Sequence, residues 1–79
     1  MGAMNKNEMV TQARNFIENK LIPQVKTFKQ VTMSFTDFVK DGIEQLIDAV
    51  LELVREYGLC IKMSFGEEKR LYQFWYETE

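Results

Sequence analysis

The chain of 79 residues has no histidine, one cysteine and one proline. Without an imidazole, the general base of serine and cysteine triads is missing, and so are the usual Cys–His zinc sets. The lone Cys60 excludes an intrachain disulfide and fits a reducing compartment, so a cytoplasmic location is expected. No run approaches the roughly 20 apolar residues that span a bilayer, and no membrane association is expected. Excess positive charge is also lacking. Ten Lys and Arg stand against 12 Asp and Glu, a net charge of -2, which argues against a general polyanion binder. What the chain does have is apolar bulk. A hydrophobic fraction of 46%, with six Phe, three Tyr and one Trp, excludes disorder as the default.

Met1-Gly2-Ala3-Met4 reads as a vector-derived remnant before a native initiator at Met4, and residues 5–79 as one α+β domain. The start lacks the basic-then-apolar plan of a secretory signal. A folding unit of about 75 residues lies near the size at which one core is marginal, so association is an expected source of stability. Many small bacterial or mobile-element regulators have this size.

Met9, Ala13, Phe16, Ile17 and Leu21 recur at spacings of 4, 3, 1 and 4, which predicts a helix over 7–22. Pro23 is expected to end it, because proline lacks the amide proton and disfavours helical geometry at Ile22. Residues 24–35 read in two ways. The β-branched Val25, Thr27, Val31 and Thr32, and the alternation of Val31, Met33 and Phe35 with polar residues, favour a strand over 25–33. Val25, Phe28, Thr32 and Phe35 also fit a helix running on from Pro23. The strand is the preferred reading.

Ile43, Leu46, Ile47, Val50, Leu53, Val54 and Tyr57 follow a 3-1-3-3-1-3 rhythm that predicts a long helix over 35–57. Ser34-x-x-Asp37 resembles a capping box, and Gly58 stands where a left-handed residue would close the helix. Gly42 is an interior weak point, worth about 1 kcal/mol against alanine.

The last twenty residues predict a hairpin around Gly66-Glu67-Glu68-Lys69. Pairing Phe65 with Arg70 sets Met63 opposite Tyr72, Ile61 opposite Phe74 and Leu59 opposite Tyr76, all on one face. A slip by one residue would split this apolar set between faces, so the register is specified. The last strand is apolar on both faces and is placed centrally. The expected fold class is α+β, in the order helix–strand–long helix–β-hairpin. Its small antiparallel or mixed three-stranded sheet packs against the long helix.

No constellation for catalysis, a metal or a cofactor is found, and the chain is not expected to be an enzyme. Cys60 has no basic neighbour at a fixed spacing to activate it as a nucleophile and reads as a packed thiol. Tyr57, Tyr72 and Tyr76 read as core-rim residues. Asp37, Asp41, Glu44, Asp48 and Glu52 form an acidic stripe extended by Glu56, with six acids against two bases over 37–56. It is either a docking surface for a basic partner or the solvated back of the helix. Lys20, Lys26 and Lys29 lie in a segment free of acids and read as solvated edge-strand lysines; with sheet aromatics they supply a nucleic-acid alternative.

The outer hairpin face is the feature to follow. There Cys60 pairs with Trp75, Lys62 with Gln73 and Ser64 with Leu71. If helices cover one face, Trp75 and Leu71 stay outward, side by side like an interface core; if the first helix covers this face, the domain has three layers. The leading expectation is a noncatalytic protein-binding module: an adaptor, inhibitor or regulator. It docks through Trp75, Leu71 and Cys60, and secondarily through Asp41, Glu44, Asp48 and Glu52. A homodimer through the outer face is the favoured isolated state.

Overall fold

The structure, a computed structural model, describes residues 5–67 and 69–77. The remnant assigned to residues 1–4 lies outside the described residues, as does Glu68 of the hairpin turn. Helix α1 (Lys6–Phe16) passes through a π-helical turn (Ile17–Leu21) into α2 (Ile22–Phe28). Strand β1 (Gln30–Ser34) follows, then α3 (Phe35–Lys40), a 3-10 turn (Glu44–Leu46), α4 (Ile47–Leu53) and a second 3-10 turn (Val54–Tyr57). The hairpin strands are β2 (Leu59–Gly66) and β3 (Lys69–Tyr76). The fold is α+β, and its sheet is antiparallel in the order β1-β3-β2, with β3 central.

The first helix begins on a reciprocal cap. The Glu8 amide donates to Asn5 Oδ1 at 2.8 Å, and the Asn5 amide donates to Glu8 Oε1 at 3.2 Å. Contrary to expectation, Pro23 does not end the helical run. The Ile22 amide reaches back to the Ile17 carbonyl, a five-residue step that marks the π turn. Widening the helix just before Pro23 eases the clash between its ring and the preceding turn, the usual reason a proline breaks a helix. The buried stripe Ala13, Phe16, Ile17 and Leu21 therefore extends to Val25.

The strand expected over 25–33 is correspondingly displaced to Gln30–Ser34. Val25 is claimed by the helical core, and Lys29 makes the turn between the two elements with φ +76°. Its amide donates to the Val25 carbonyl at 2.8 Å. Positive φ in a residue with a Cβ costs about 1–2 kcal/mol, so Lys29→Gly is expected to stabilise the fold by about 1 kcal/mol. Urea unfolding of the two proteins checks this, and an unchanged midpoint would refute the strain.

Ser34 ends β1 and caps α3 at once. The Asp37 amide donates to Ser34 Oγ at 3.2 Å and the Ser34 amide donates to Asp37 Oδ2 at 2.9 Å, the box legible in the sequence. The helix expected to run unbroken over 35–57 stops at Gly42, with φ +72°. The Gly42 amide donates to the Val39 carbonyl and the Ile43 amide to the Phe38 carbonyl, each at 2.9 Å. This paired closure is a Schellman cap. Gly58, with φ +83°, closes the second 3-10 turn as expected.

The hairpin register agrees with the parity argument at every pair: Phe65 with Arg70, Met63 with Tyr72, Ile61 with Phe74 and Leu59 with Tyr76. β1 adds Val31 opposite Phe74 and Met33 opposite Tyr72. The core lies between this face and the helices. It joins Leu46, Ile47, Val50, Leu53 and Val54 of the predicted stripe to Phe38, Tyr72 and Phe74, with Ile43 partly buried at its margin. Met63 departs from expectation. It is 51% exposed and Phe65 is 73% exposed, because the hairpin tip extends past the helical layer.

Among the described residues, helices cover only one face of the sheet. None of Cys60, Leu71 and Trp75 belongs to the apolar cluster. The shortest principal extent is 17 Å, which accommodates a sheet and one helical layer spaced by about 10 Å but not a third layer. The first helix packs beside α4 on the core side, and the three-layer alternative is excluded.

Candidate functional face

The uncovered face is built by strand alternation. Each row crosses the sheet from β1 through β3 to β2. The first is Gln30, Trp75 and Cys60; the second is Thr32, Gln73 and Lys62; the third is Ser34, Leu71 and Ser64. Lys69 opposite Gly66 extends the same face toward the turn. Trp75, Leu71 and Cys60 are half-buried, and Lys62 and Lys69 are exposed.

The two large apolar residues are not side by side as the sequence suggested. Four positions along one strand separate them by roughly 13 Å, and Gln73 lies between. Its amide Nε2 donates to Gln30 Oε1 at 2.6 Å, which ties the polar middle row to the row of Trp75. The face thus has an aromatic end at Trp75 and a smaller apolar end at Leu71. Its rows contain lysines and no acid.

At the aromatic end a hollow of about 540 Å³ is lined by Phe28, Lys29, Gln30, Lys62, Gln73, Trp75 and Tyr76. Phe28, 66% exposed, closes it from the end of α2. The turn at Lys29 places this last helical residue above the sheet edge. Phe28 and Trp75 line the same hollow from distant parts of the chain, so no local pattern in the sequence joins them.

Lys20, Lys26 and Lys29 are not edge-strand lysines. They lie in the π turn, in α2 and in the following turn, and only Lys29 reaches the sheet aromatics. Lys20 instead borders a second hollow of about 470 Å³ between the first helix, β1 and α3, shared with Asp37, Lys40 and Asp41. Its lining mixes both charges.

The acidic residues also fail to form one rod, because the cap at Gly42 separates Asp37 and Asp41 from the later helix. Asp37 is used as the α3 cap and Glu56 pairs with Arg14 Nη2 at 3.0 Å. Asp48 and Glu52 remain one turn apart on α4, while Asp41 and Glu44 flank the break; all four are exposed. Among the described residues no group of His, Cys, Asp or Glu is placed to hold a metal ion.

Tyr57 is held in a fastening between the first helix and the end of the second 3-10 turn. Its hydroxyl donates to Glu18 Oε2 at 2.5 Å and receives a bond from Arg14 Nη1 at 3.4 Å. The hydrogen bonds to Tyr57 and then to Glu56 raise the Arg14 pKa above its ordinary value. This cluster binds two elements together. No helix among the described residues is long and apolar enough to cross a membrane. The chain matches no family model, and no curated protein or solved structure matches it either.

Proposed function

We propose that the protein is a noncatalytic protein-binding module that docks through the uncovered sheet face. The observation that carries this reading is the placement of Trp75, Leu71 and Cys60 on a face without a helical layer. A half-buried tryptophan beside a hollow is the type of residue that anchors protein interfaces. Regulation or inhibition by occlusion suits such a module. Asp48 and Glu52, on the opposite layer, supply a secondary contact for a basic partner.

A second reading is favoured by the hollow itself. Phe28 and Trp75 with Lys29 and Lys62 are the aromatic and cationic groups that single-stranded nucleic acid uses. One experiment separates the two. Capture from the native host is compared for wild type, Trp75→Ala and Asp48→Asn/Glu52→Gln, alongside salt titrations with single-stranded DNA and RNA. Loss of a captured protein in Trp75→Ala alone supports docking through the sheet face. Capture unaffected by Trp75→Ala refutes it. Nucleic-acid affinity that falls steeply with salt, with a slope reduced by about 1 in Lys62→Ala, would establish the second reading instead.

A further inference from the structure

Strand β2 has β3 as its sole sheet neighbour among the described residues, so its other side is an edge. Along such an edge every second residue turns its N–H and C=O away from the sheet. Gly66 pairs with Lys69 across two intervening residues, and the closing pair of a turn this short exchanges both hydrogen bonds. Counting back, Phe65, Met63 and Ile61 occupy the non-bonded positions, and their backbone groups point outward. Residues 62–66 are all exposed, so the fold leaves this stretch open. Natural edges are blunted with lysines, proline, bulges or inward charges. Here eight residues include a single charge, Lys62, and the side chains of Met63 and Phe65 are 51% and 73% exposed.

We propose that two copies of the chain pair antiparallel along β2, about a two-fold axis at Met63, and join their sheets into one. The occupant is a second copy because β2 complements itself. Matching faces requires the axis to fall on a residue, since an axis between residues would set inner side chains against outer ones. An axis at Lys62 places two ammonium groups directly opposite, which like-charge repulsion disfavours. An axis at Ser64 sets Ile61 opposite Glu67. At Met63 the pairs are Met63 with Met63, Ile61 with Phe65, Lys62 with Ser64 and Cys60 with Gly66. That register satisfies the outward groups of all three residues on both chains, about six backbone hydrogen bonds. It also covers the wet apolar side chains at the tip. The pairing leaves the Trp75 face open and does not rest on the docking reading above.

Met63→Pro is the selective test. The Met63 N–H points away from β3, so proline there removes a bond of the dimer and none of the hairpin. Sedimentation over roughly 1–500 µM is expected to show a concentration-dependent wild-type dimer, with the dissociation constant raised at least about tenfold in Met63→Pro. Met63→Lys, which sets like charges across the axis at a position already exposed, is expected to weaken the dimer similarly and decides the matter should the proline variant misfold. Trp75→Ala is expected to leave the constant unchanged. In a dimer of labelled and unlabelled chains, a contact between the Lys62 and Ser64 α-protons is expected, because a non-hydrogen-bonded pair brings Cα atoms to about 4.5 Å. A monomer at every concentration, a dimer that survives Met63→Lys, or one weakened by Trp75→Ala alone would overturn the proposal.

Discussion

Phe38→Ala is expected to remove roughly half of the stability of the fold. The Phe38 side chain is fully buried at the centre of the molecule. Its ring lies 5.9 Å from Phe16 at 49° and 5.4 Å from Tyr72, edge-on at 86°. One side chain thereby ties the first helix, α3 and the central strand together. Truncating a buried phenylalanine costs about 3–5 kcal/mol, and lost aromatic geometry adds about 0.5–1.5. A domain of this size holds roughly 4–12 kcal/mol in total. At about 4–8 °C per kcal/mol, the midpoint should fall by about 12 °C or more. Thermal unfolding by circular dichroism measures it, with Val39→Ala, whose side chain is 44% exposed, as the near-neutral neighbour. A fall below about 4 °C would mean that Phe38 is not the junction.

Val50→Asp is expected to cost more still, above about 4 kcal/mol. Val50 is fully buried on α4, and the described core includes no buried polar or charged residue to pair with a carboxylate. Val50→Ala reports the cavity contribution alone, on the order of 1–4 kcal/mol. The two variants also differ in their dependence on pH. Burial would hold the introduced carboxyl's folded-state pKa above its unfolded value, so the folded chain binds the proton more readily. Stability should return partly as pH falls through the folded-state pKa and be fully recovered, short of the cavity and polar costs, below the unfolded one. Urea midpoints at neutral and mildly acid pH provide the comparison. Equal losses for the two variants at both pH values would show that position 50 has access to water.

The parts of the fold readable from the chain are those governed by local period. Strand alternation allows one pairing of Leu59, Ile61 and Met63 with Tyr76, Phe74 and Tyr72, and that pairing occurs. The cap at Ser34 and the left-handed closure at Gly58 follow from side-chain hydrogen bonding and from the missing Cβ. The break at Gly42 shows the limit of the same reasoning. The apolar rhythm from Ile43 onward does not mark where its helix begins, and in α3, upstream of the Schellman cap, only Phe38 is buried while Phe35 and Val39 stay exposed. Pro23 errs in the other direction. A local rule stops the helix there, but burial of Leu21 and Val25 on one stripe favours continuing it through a π turn.

The candidate site was legible in the same uneven way. Alternation alone assigns Cys60, Lys62, Leu71 and Trp75 to one face, although reading Trp75 and Leu71 as side by side missed the Gln73 row between them. No local rule says that this face lacks a helix, that Phe28 closes a hollow over Trp75, or that Met63 and Phe65 stay wet. Those facts depend on where the helical layer ends relative to the sheet, which is set by packing between residues more than thirty positions apart. A period of two or of 3.6 is carried by near neighbours and survives in the sequence. The extent of a layer comes from the sum of many weak long-range contacts, and only the assembled chain contains it.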